Sequence, residues 1–275
     1  MQFLSFSNMQ SNDRNGLLTS RSNALVKQTA AVRKSARERR ESGLFFLEGA
    51  RLCADAASSG TVVSVCLYTD DAARKYEDRL QGVLAAAEKA ARITPELAAY
   101  LSETQSPQGV FCLCRMREHK ERIDPAGKYL ALSDLQNPDN LGAISRTAEA
   151  LGLSGLIVEG GCDVYNPKAQ RASMGSLLRI PIVETTDLYA LLEDCRRMGM
   201  HVYASTPDTD ALPVTRVSFS AGTVCVVGNE GAGVRPEILR SCARVTIPMC
   251  GRAESFNAAA AATILLWEMT REDVQ

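Results

Sequence analysis

The feature that most constrains the fold is an alternation, in the carboxyl-terminal half of the chain, of short apolar runs with helical segments. Thr-Val-Cys-Val-Val-Gly at 223–228 reads as a fully apolar strand. Further strands are expected at 129–133 (Tyr-Leu-Ala-Leu-Ser), 155–158, 182–183, 201–205 and 244–247. Helical stretches at 141–151, 168–178, 188–198, 236–241 and 255–270 separate them. A strand without polar alternation is covered on both faces, which means a mostly parallel sheet flanked by helices. In open sheets of that kind ligands sit beyond the carboxyl ends of the strands. Chemistry is therefore expected in the loops after Ser133, Ser205, Gly228 and Ile247.

The first half has a different texture. A helical stretch begins near Asn23, and seven basic residues fall between positions 21 and 40: Arg21, Lys27, Arg33, Lys34, Arg37, Arg39 and Arg40. Only Glu38 opposes them there. Strands are expected at 44–47, 62–67 and 110–114, with helices from Glu48-Gly49 to 57 and over 71–89. This alternation predicts a compact layered domain of about 100 residues. The expected division is a flexible tail at 1–17, a first domain at 18–115, a charged linker at 116–128 and a second domain at 129–275.

Composition removes several classes of function. The 275 residues suffice for two domains, and 45% apolar with 23% charged residues is the balance of a soluble globular chain. A formal net charge of -1 gives no global field toward nucleic acid, so such affinity has to come from local patches. Nine scattered cysteines suit reduced thiols in a cytoplasmic setting better than a disulfide framework. Cys112 and Cys114, spaced C-x-C in an apolar run, form a packing pattern, and no second pair completes a zinc site. Neither His119 nor His201 has a partner at ligand spacing, so no metal is expected. No apolar run reaches the roughly 20 residues of a membrane span, and the first residues lack the pattern of a signal peptide.

Three loops can carry chemistry. In the first, Asn137-Pro138 makes a turn and Asn140 is the expected helix N-cap, with Gly142 open to close approach. Arg146, between Ile144 and Ala148, is either a surface charge or a phosphate clamp. The second loop, Gly-Asn-Glu-Gly-Ala-Gly at 228–233, has neither the dinucleotide spacing nor a Walker lysine. It is either a cradle for a nucleotide-like ligand or a tight turn, and Glu230 in its middle suits a ligand offering donors or positive charge. In the third, 247–267, Ser255 is the expected cap of a helix with Asn257 in its first turn, and Ala258 to Ala262 make a close-packing face.

Taken together the loops resemble the motifs of the SpoU, or TrmH-type, RNA methyltransferase family of the SPOUT superfamily. N-P-x-N-x-G-x-x-x-R-T-A matches 137–148, G-x-E-G-x-G matches 228–233, and I-P-M-x-G-x-x-x-S-(L)-N matches 247–257. The run N-P-K-x-x-R-x-S-M-G at 166–175 is similar to the family's as well. Phe256 stands where the family usually has Leu, which reshapes the pocket unless mainly its backbone meets the cofactor. Ser20-Arg21-x-Asn23 with its basic helix, and Phe46-Leu-Glu-Gly49, are similar to the family's small substrate-binding domain, itself like ribosomal protein L30e.

The resemblance implies an α/β SPOUT-type parallel sheet with a carboxyl-terminal trefoil knot, behind an L30e-like α/β domain. It implies S-adenosylmethionine held by Gly228, Ile247, Met249, Ser255 and Phe256, and a homodimer with active sites at the subunit interface. The acceptor would be a ribose 2′-hydroxyl, in large-subunit ribosomal RNA first and transfer RNA second. Arg146 would grip the phosphate beside the target ribose, Asn140 would shape the first loop, and Glu230 and Asn257 would orient loops and substrate. Arg21, Lys27, Arg33, Lys34 and Arg40 would meet RNA backbone, or be a solvated helix face, with Arg171 and Ser173 as further RNA contacts. Aromatics at 5% favour recognition by shape and phosphate over base stacking. Two competing readings are a Rossmann-like oxidoreductase and an RNA-binding protein of the same fold without activity.

Overall fold

A computed structural model describes residues 16–119 and 122–273. Most of the expected tail, two residues of the expected linker and the last two residues of the chain lie outside them. Two compact units are present. One is built from the described residues up to Met116 with Tyr165–Pro167, the other from Arg117–Val164 and the residues from Lys168 on.

The first unit contains β1 (Leu17–Leu18), α1 (Ala24–Lys34), α2 (Ala36–Ser42), β2 (Leu44–Glu48), α3 (Ala50–Ser58) and β3 (Val63–Tyr68). It continues with α4 (Asp70–Lys75), α5 (Glu77–Ala86), β4 (Ala87–Ile93), α6 (Pro95–Leu101) and β5 (Val110–Arg115). The sheet runs β1-β4-β3-β5-β2. Asn23 starts α1 by accepting the Leu25 amide at 3.0 Å. The helix buries Val26, Ala30 and Val32 against Phe46, Leu67, Leu97 and Phe111.

The helix expected over 71–89 is corrected here. It breaks at Tyr76 and ends at Ala86, and Ala87–Ile93 is a strand lying parallel to β1 on one side and β3 on the other. Ala-Glu-Lys-Ala-Ala has helical preference, but two flanks of backbone pairing override so weak a local bias. Leu17 and Leu18 pair with Arg92 and Ile93 and are therefore strand, not tail.

The second unit contains β6 (Lys128–Ser133), α7 (Pro138–Ala150), β7 (Gly155–Glu159), α8 (Pro167–Ala172), β8 (Ile182–Thr185) and α9 (Leu188–Arg197). After it come β9 (His201–Ser205), β10 (Leu212–Pro213), β11 (Thr223–Val227), α10 (Pro236–Ser241), β12 (Ala243–Thr246) and α11 (Ala258–Thr270). The sheet order is β10-β12-β9-β11-β6-β7-β8, and every pairing is parallel. Alternate strand residues such as Ala131, Ile157 and Val226 bury against Leu188, Leu192 and Cys195 of α9. Period-two alternation turns Leu130, Leu132, Leu156 and Cys225 to the other side, where α7 and α11 pack on each other and on β7 and β11. Both faces are dry, which explains the uninterrupted apolar runs. Burial pushes the Cys225 thiol up to about 12 and the Cys195 thiol up to about 11, so both remain protonated packing groups.

Sheet order fixes where a ligand goes. From β6 the chain builds outward through β7 and β8, then crosses back to β9 and inserts β11 between β9 and β6. The direction of building reverses at β6 and β11, the kind of switch point where strand ends leave a crevice. The helix expected over 168–178 stops at Ala172, because Met174 and Gly175 take positive φ before a short 3₁₀ turn at Ser176–Leu178.

Candidate active site

Three loops leave the carboxyl ends of β6, β11 and β12 and are joined by side chains. The first is built on a backbone that only its surroundings can hold. Asp134, just past β6, has φ +57 without being glycine, and such strain persists where neighbours impose it. Its carbonyl accepts the Asn229 side-chain amide at 3.0 Å. Asn137, not Asn140, caps α7: its Oδ1 accepts the Asp139 amide at 2.9 Å, and Pro138 fills the first helical position. Asn140 is displaced from the expected cap by one helical turn and is 6% exposed, with its side chain free to bond sideways.

The second loop closes on itself. The Asn229 amide donates to the Gly233 carbonyl at 3.1 Å and the Gly233 amide to the Asn229 carbonyl at 2.9 Å. The Asn229 Oδ1 accepts from the Gly231 and Ala232 amides, both at 2.9 Å. A Cβ on Gly228 would lie 2.1 Å from the Gly233 carbonyl carbon, so glycine is required there by close approach, while Gly233 is required by its φ of +69.

In the third loop the expected cap is again corrected. Ser255 precedes α11, and Asn257 caps it, its Oδ1 accepting the Ala259 amide at 2.9 Å and the Ala260 amide at 3.3 Å. The helix therefore starts at Ala258.

One hydrogen-bonded chain ties the three loops together. The Glu230 carboxylate accepts the Gln136 amide at 3.0 Å, the Asn137 amide at 2.9 Å and the Asn140 Nδ2 at 3.0 Å. Asn140 Oδ1 in turn accepts the Asn257 Nδ2 at 3.3 Å. Burial pushes the Glu230 carboxyl up, but its backbone and side-chain donors outweigh that and hold it below the usual carboxylate range. Glu230 is thus committed to donors of its own chain, and the sequence expectation of a ligand donor for it is met internally.

Between the second and third loops and the loop after β9 lies a cavity of about 370 Å³. Ser205, Val227 and Thr246 at the ends of β9, β11 and β12 form its floor, the glycine loop one wall, and Ile247, Met249, Ser255 and Phe256 another. All five residues expected to hold a cofactor (Gly228, Ile247, Met249, Ser255 and Phe256) line it, and Ala258 and Ala261 give it room from α11. Phe256 keeps 40% of its surface exposed beside the cavity. Among the described residues the ionisable ones that line it are Glu230 and Glu254, with no Lys, Arg or His. The lining suits an apolar ligand bearing positive charge and opposes a phosphate. It also includes Thr206, Pro207 and Leu239, which motif matching missed, although the strand end at Ser205 pointed to that loop.

Arg146 lies on the exposed face of α7, about 9 Å farther along the helix axis than Asn140. It stands outside the cavity lining, and among the described residues it pairs with no carboxylate. Ser173 is corrected as an RNA contact: it is fully buried, donates to the Gln170 carbonyl at 2.8 Å, and packs where a Cβ on Gly142 would collide. The close approach expected at Gly142 is therefore that of α8. Arg171 is half-buried.

In the first unit, Arg33 is corrected as well. Its guanidinium donates to the Leu101 and Ser102 carbonyls at 3.1 and 2.6 Å and so closes the end of α6. Arg39 is buried and donates to the Val32 carbonyl at 2.9 Å. Arg21, Lys27, Lys34 and Arg40 remain exposed. Arg21 stands 4.5 Å and Lys34 5.9 Å from the Tyr100 ring centre.

Comparison with known proteins follows the same division. Residues 127–267 match the SpoU rRNA Methylase family, and residues 23–112 match the MRM3-like substrate binding domain. The chain is 31% identical to the 23S rRNA (guanosine(2553)-2′-O)-methyltransferase RlmP of Bacillus subtilis, over 85% of this chain and 91% of that one. It is 32% identical to the 23S rRNA (uridine(2479)-2′-O)-methyltransferase of Streptomyces viridochromogenes, over 94% and 92%. The crystal structure of an AdoMet-bound rRNA methyltransferase from Sinorhizobium meliloti superposes with a TM-score of 0.83 at 28% identity, covering 94% of this chain and 98% of that one.

Proposed function

This chain belongs to the SpoU rRNA Methylase family and is an S-adenosylmethionine-dependent RNA methyltransferase, and on that premise we propose that its acceptor is a ribose 2′-hydroxyl of large-subunit ribosomal RNA. The observation that carries the reading is the cavity at the carboxyl ends of β9, β11 and β12, whose charged lining residues, among the described residues, are carboxylates alone. A sulfonium ligand is favoured by such a lining. A dinucleotide would bring its pyrophosphate against two carboxylates with no lysine or arginine to meet it, which disfavours the oxidoreductase reading.

When bound, S-adenosylmethionine supplies an electrophilic methyl group. The chain has to hold that donor, bring the hydroxyl into line and stabilise the negative charge that develops on the acceptor oxygen. Gly228 lets the glycine loop fold back against Gly233 and form one wall around the ligand, while Ile247, Met249 and Phe256 exclude water from it. Ser255 sits in the same wall. Glu230, Asn140 and Asn257 act as positioning residues, since their polar atoms hold the three loops to one another. Arg146 is assigned to the phosphate next to the target ribose and to the charge on the acceptor oxygen. A guanidinium holds its proton tightly and makes a poor base, but its fork suits a bidentate phosphate contact.

Arg21, Lys27, Lys34 and Arg40 are assigned to RNA backbone, with Arg171 in a lesser role; Arg33 is left to the fold. A homodimer is part of the same proposal, supported by the outer face of α11, where Trp267 is 50% exposed. A knotted path belongs to the same proposal, on the strength of the family match over 127–267. A cytoplasmic location is supported by nine free cysteines and by a ribosomal acceptor. Among the described residues no helix is long and apolar enough to cross a membrane, and no group of three or more His, Cys, Asp or Glu gathers to hold a metal.

The test is transfer of labelled methyl from S-adenosylmethionine to RNA from cells lacking the gene, followed by mapping of 2′-O-methyl nucleotides. A single labelled ribose in large-subunit RNA is expected. Label confined to transfer RNA would move the acceptor assignment. Cofactor binding with no label in any RNA would favour the inactive RNA-binding reading.

A further inference from the structure

We infer that Glu254 is the counter-charge for the ammonium group of S-adenosylmethionine, an inference that rests on the methyl-donor reading of the cavity. Two carboxylates line that cavity, and they differ in what they already hold. Glu230 accepts three donors from its own chain. Glu254 is exposed, and among the described residues it takes part in no hydrogen bond or ion pair. It is therefore the acidic lining side chain left over for a ligand.

Chemistry decides which part of the ligand it meets. The donor carries two cationic centres, a sulfonium without N–H groups and an ammonium with three. A carboxylate makes charge-assisted hydrogen bonds to the second and only a field interaction with the first. Position agrees. Residues 251–257 are all exposed, so Glu254 stands at the wet mouth, while Val227, Leu239 and Ile247 supply apolar lining. A ligand with an apolar-faced adenosine and a charged amino-acid tail loses least hydration with its tail at that mouth.

The experiment is titration calorimetry of the intact protein and its E254Q variant with three ligands: S-adenosylmethionine, S-adenosylhomocysteine and 5′-methylthioadenosine. The first two share the ammonium, only the first has the sulfonium, and the third has neither. E254Q is expected to weaken the first two alike, by roughly tenfold, with the third changed less than about twofold. Added salt should shrink the difference, since the pair is exposed. Equal weakening of all three ligands would mean a packing role and overturn the inference. So would weakening of S-adenosylmethionine alone, which places the charge at the sulfonium, or no weakening at all. Failure of the unsubstituted protein to bind any of the three would instead overturn the methyl-donor reading itself.

Discussion

Replacing Glu230 by glutamine removes one charge and leaves the size of the side chain almost unchanged, so its effect isolates the chain of bonds that joins the three loops. Glu230 accepts from the Gln136 amide, the Asn137 amide and Asn140 at 2.9 to 3.0 Å. A hydrogen bond to a charged acceptor contributes about 1.5–3 kcal/mol where water is excluded. Glu230 is exposed, so solvent screens most of that, and the three together are worth about 1–2 kcal/mol. In a unit of this size that is a fall in Tm of about 3–6 °C, measured by thermal melting at neutral pH. Acid supplies the control. The folded Glu230 carboxyl lies below its unfolded value, near about 4.3, so its contribution is complete above that pH and disappears as pH falls through the folded value. The gap in Tm between the two proteins should hold steady from neutral down to mildly acidic pH and then close. A gap that is absent at neutral pH, or that widens in acid, refutes the assignment of Glu230 as the bridge between loops.

Other substitutions test other parts of the structure. Arg146→Ala should leave S-adenosylmethionine affinity within about twofold and lower kcat by at least about 100-fold, read by calorimetry and methyl transfer; lost affinity with turnover kept would contradict the phosphate-grip role. Gly228→Ala should cost about 3 kcal/mol or more in thermal melts and empty the cavity of ligand, since its Cβ would sit 2.1 Å from the Gly233 carbonyl carbon; a stable variant with intact affinity would show that the loop opens easily. Lys27→Ala should weaken RNA binding uniformly and reduce the salt slope by about one unit, whereas Arg33→Ala should lower Tm because the Leu101 and Ser102 carbonyls lose their donor. The opposite pattern would return Arg33 to the RNA surface.

What could be read in the sequence, and what could not, divides along a physical line. The strands of the second unit were legible because burial on both faces is written locally: Thr-Val-Cys-Val-Val at 223–227 has no polar residue to turn outward beyond its first. The glycine loop was legible because Gly228 and Gly233 are dictated by backbone geometry within a few residues. Helix starts were less so. Asn137 and Asn140 are equally good caps as residue types, and Pro138 was the signal that favoured the first. Asn257 displaced Ser255 from the cap for a reason outside the helix: its side-chain amide reaches Asn140, 117 residues earlier in the chain. The same distance hides the rest. Arg33 looks like any other member of a basic stretch until α6, 68 residues on, brings it two carbonyls. Glu230 looks like a ligand group until Gln136, Asn137 and Asn140 arrive from the loop after β6. A charge used by the fold and a charge offered to a ligand have the same letter in the sequence. They part only when long-range partners are counted, and that count is what leaves Arg146 and Glu254 among the groups still to be satisfied by something bound.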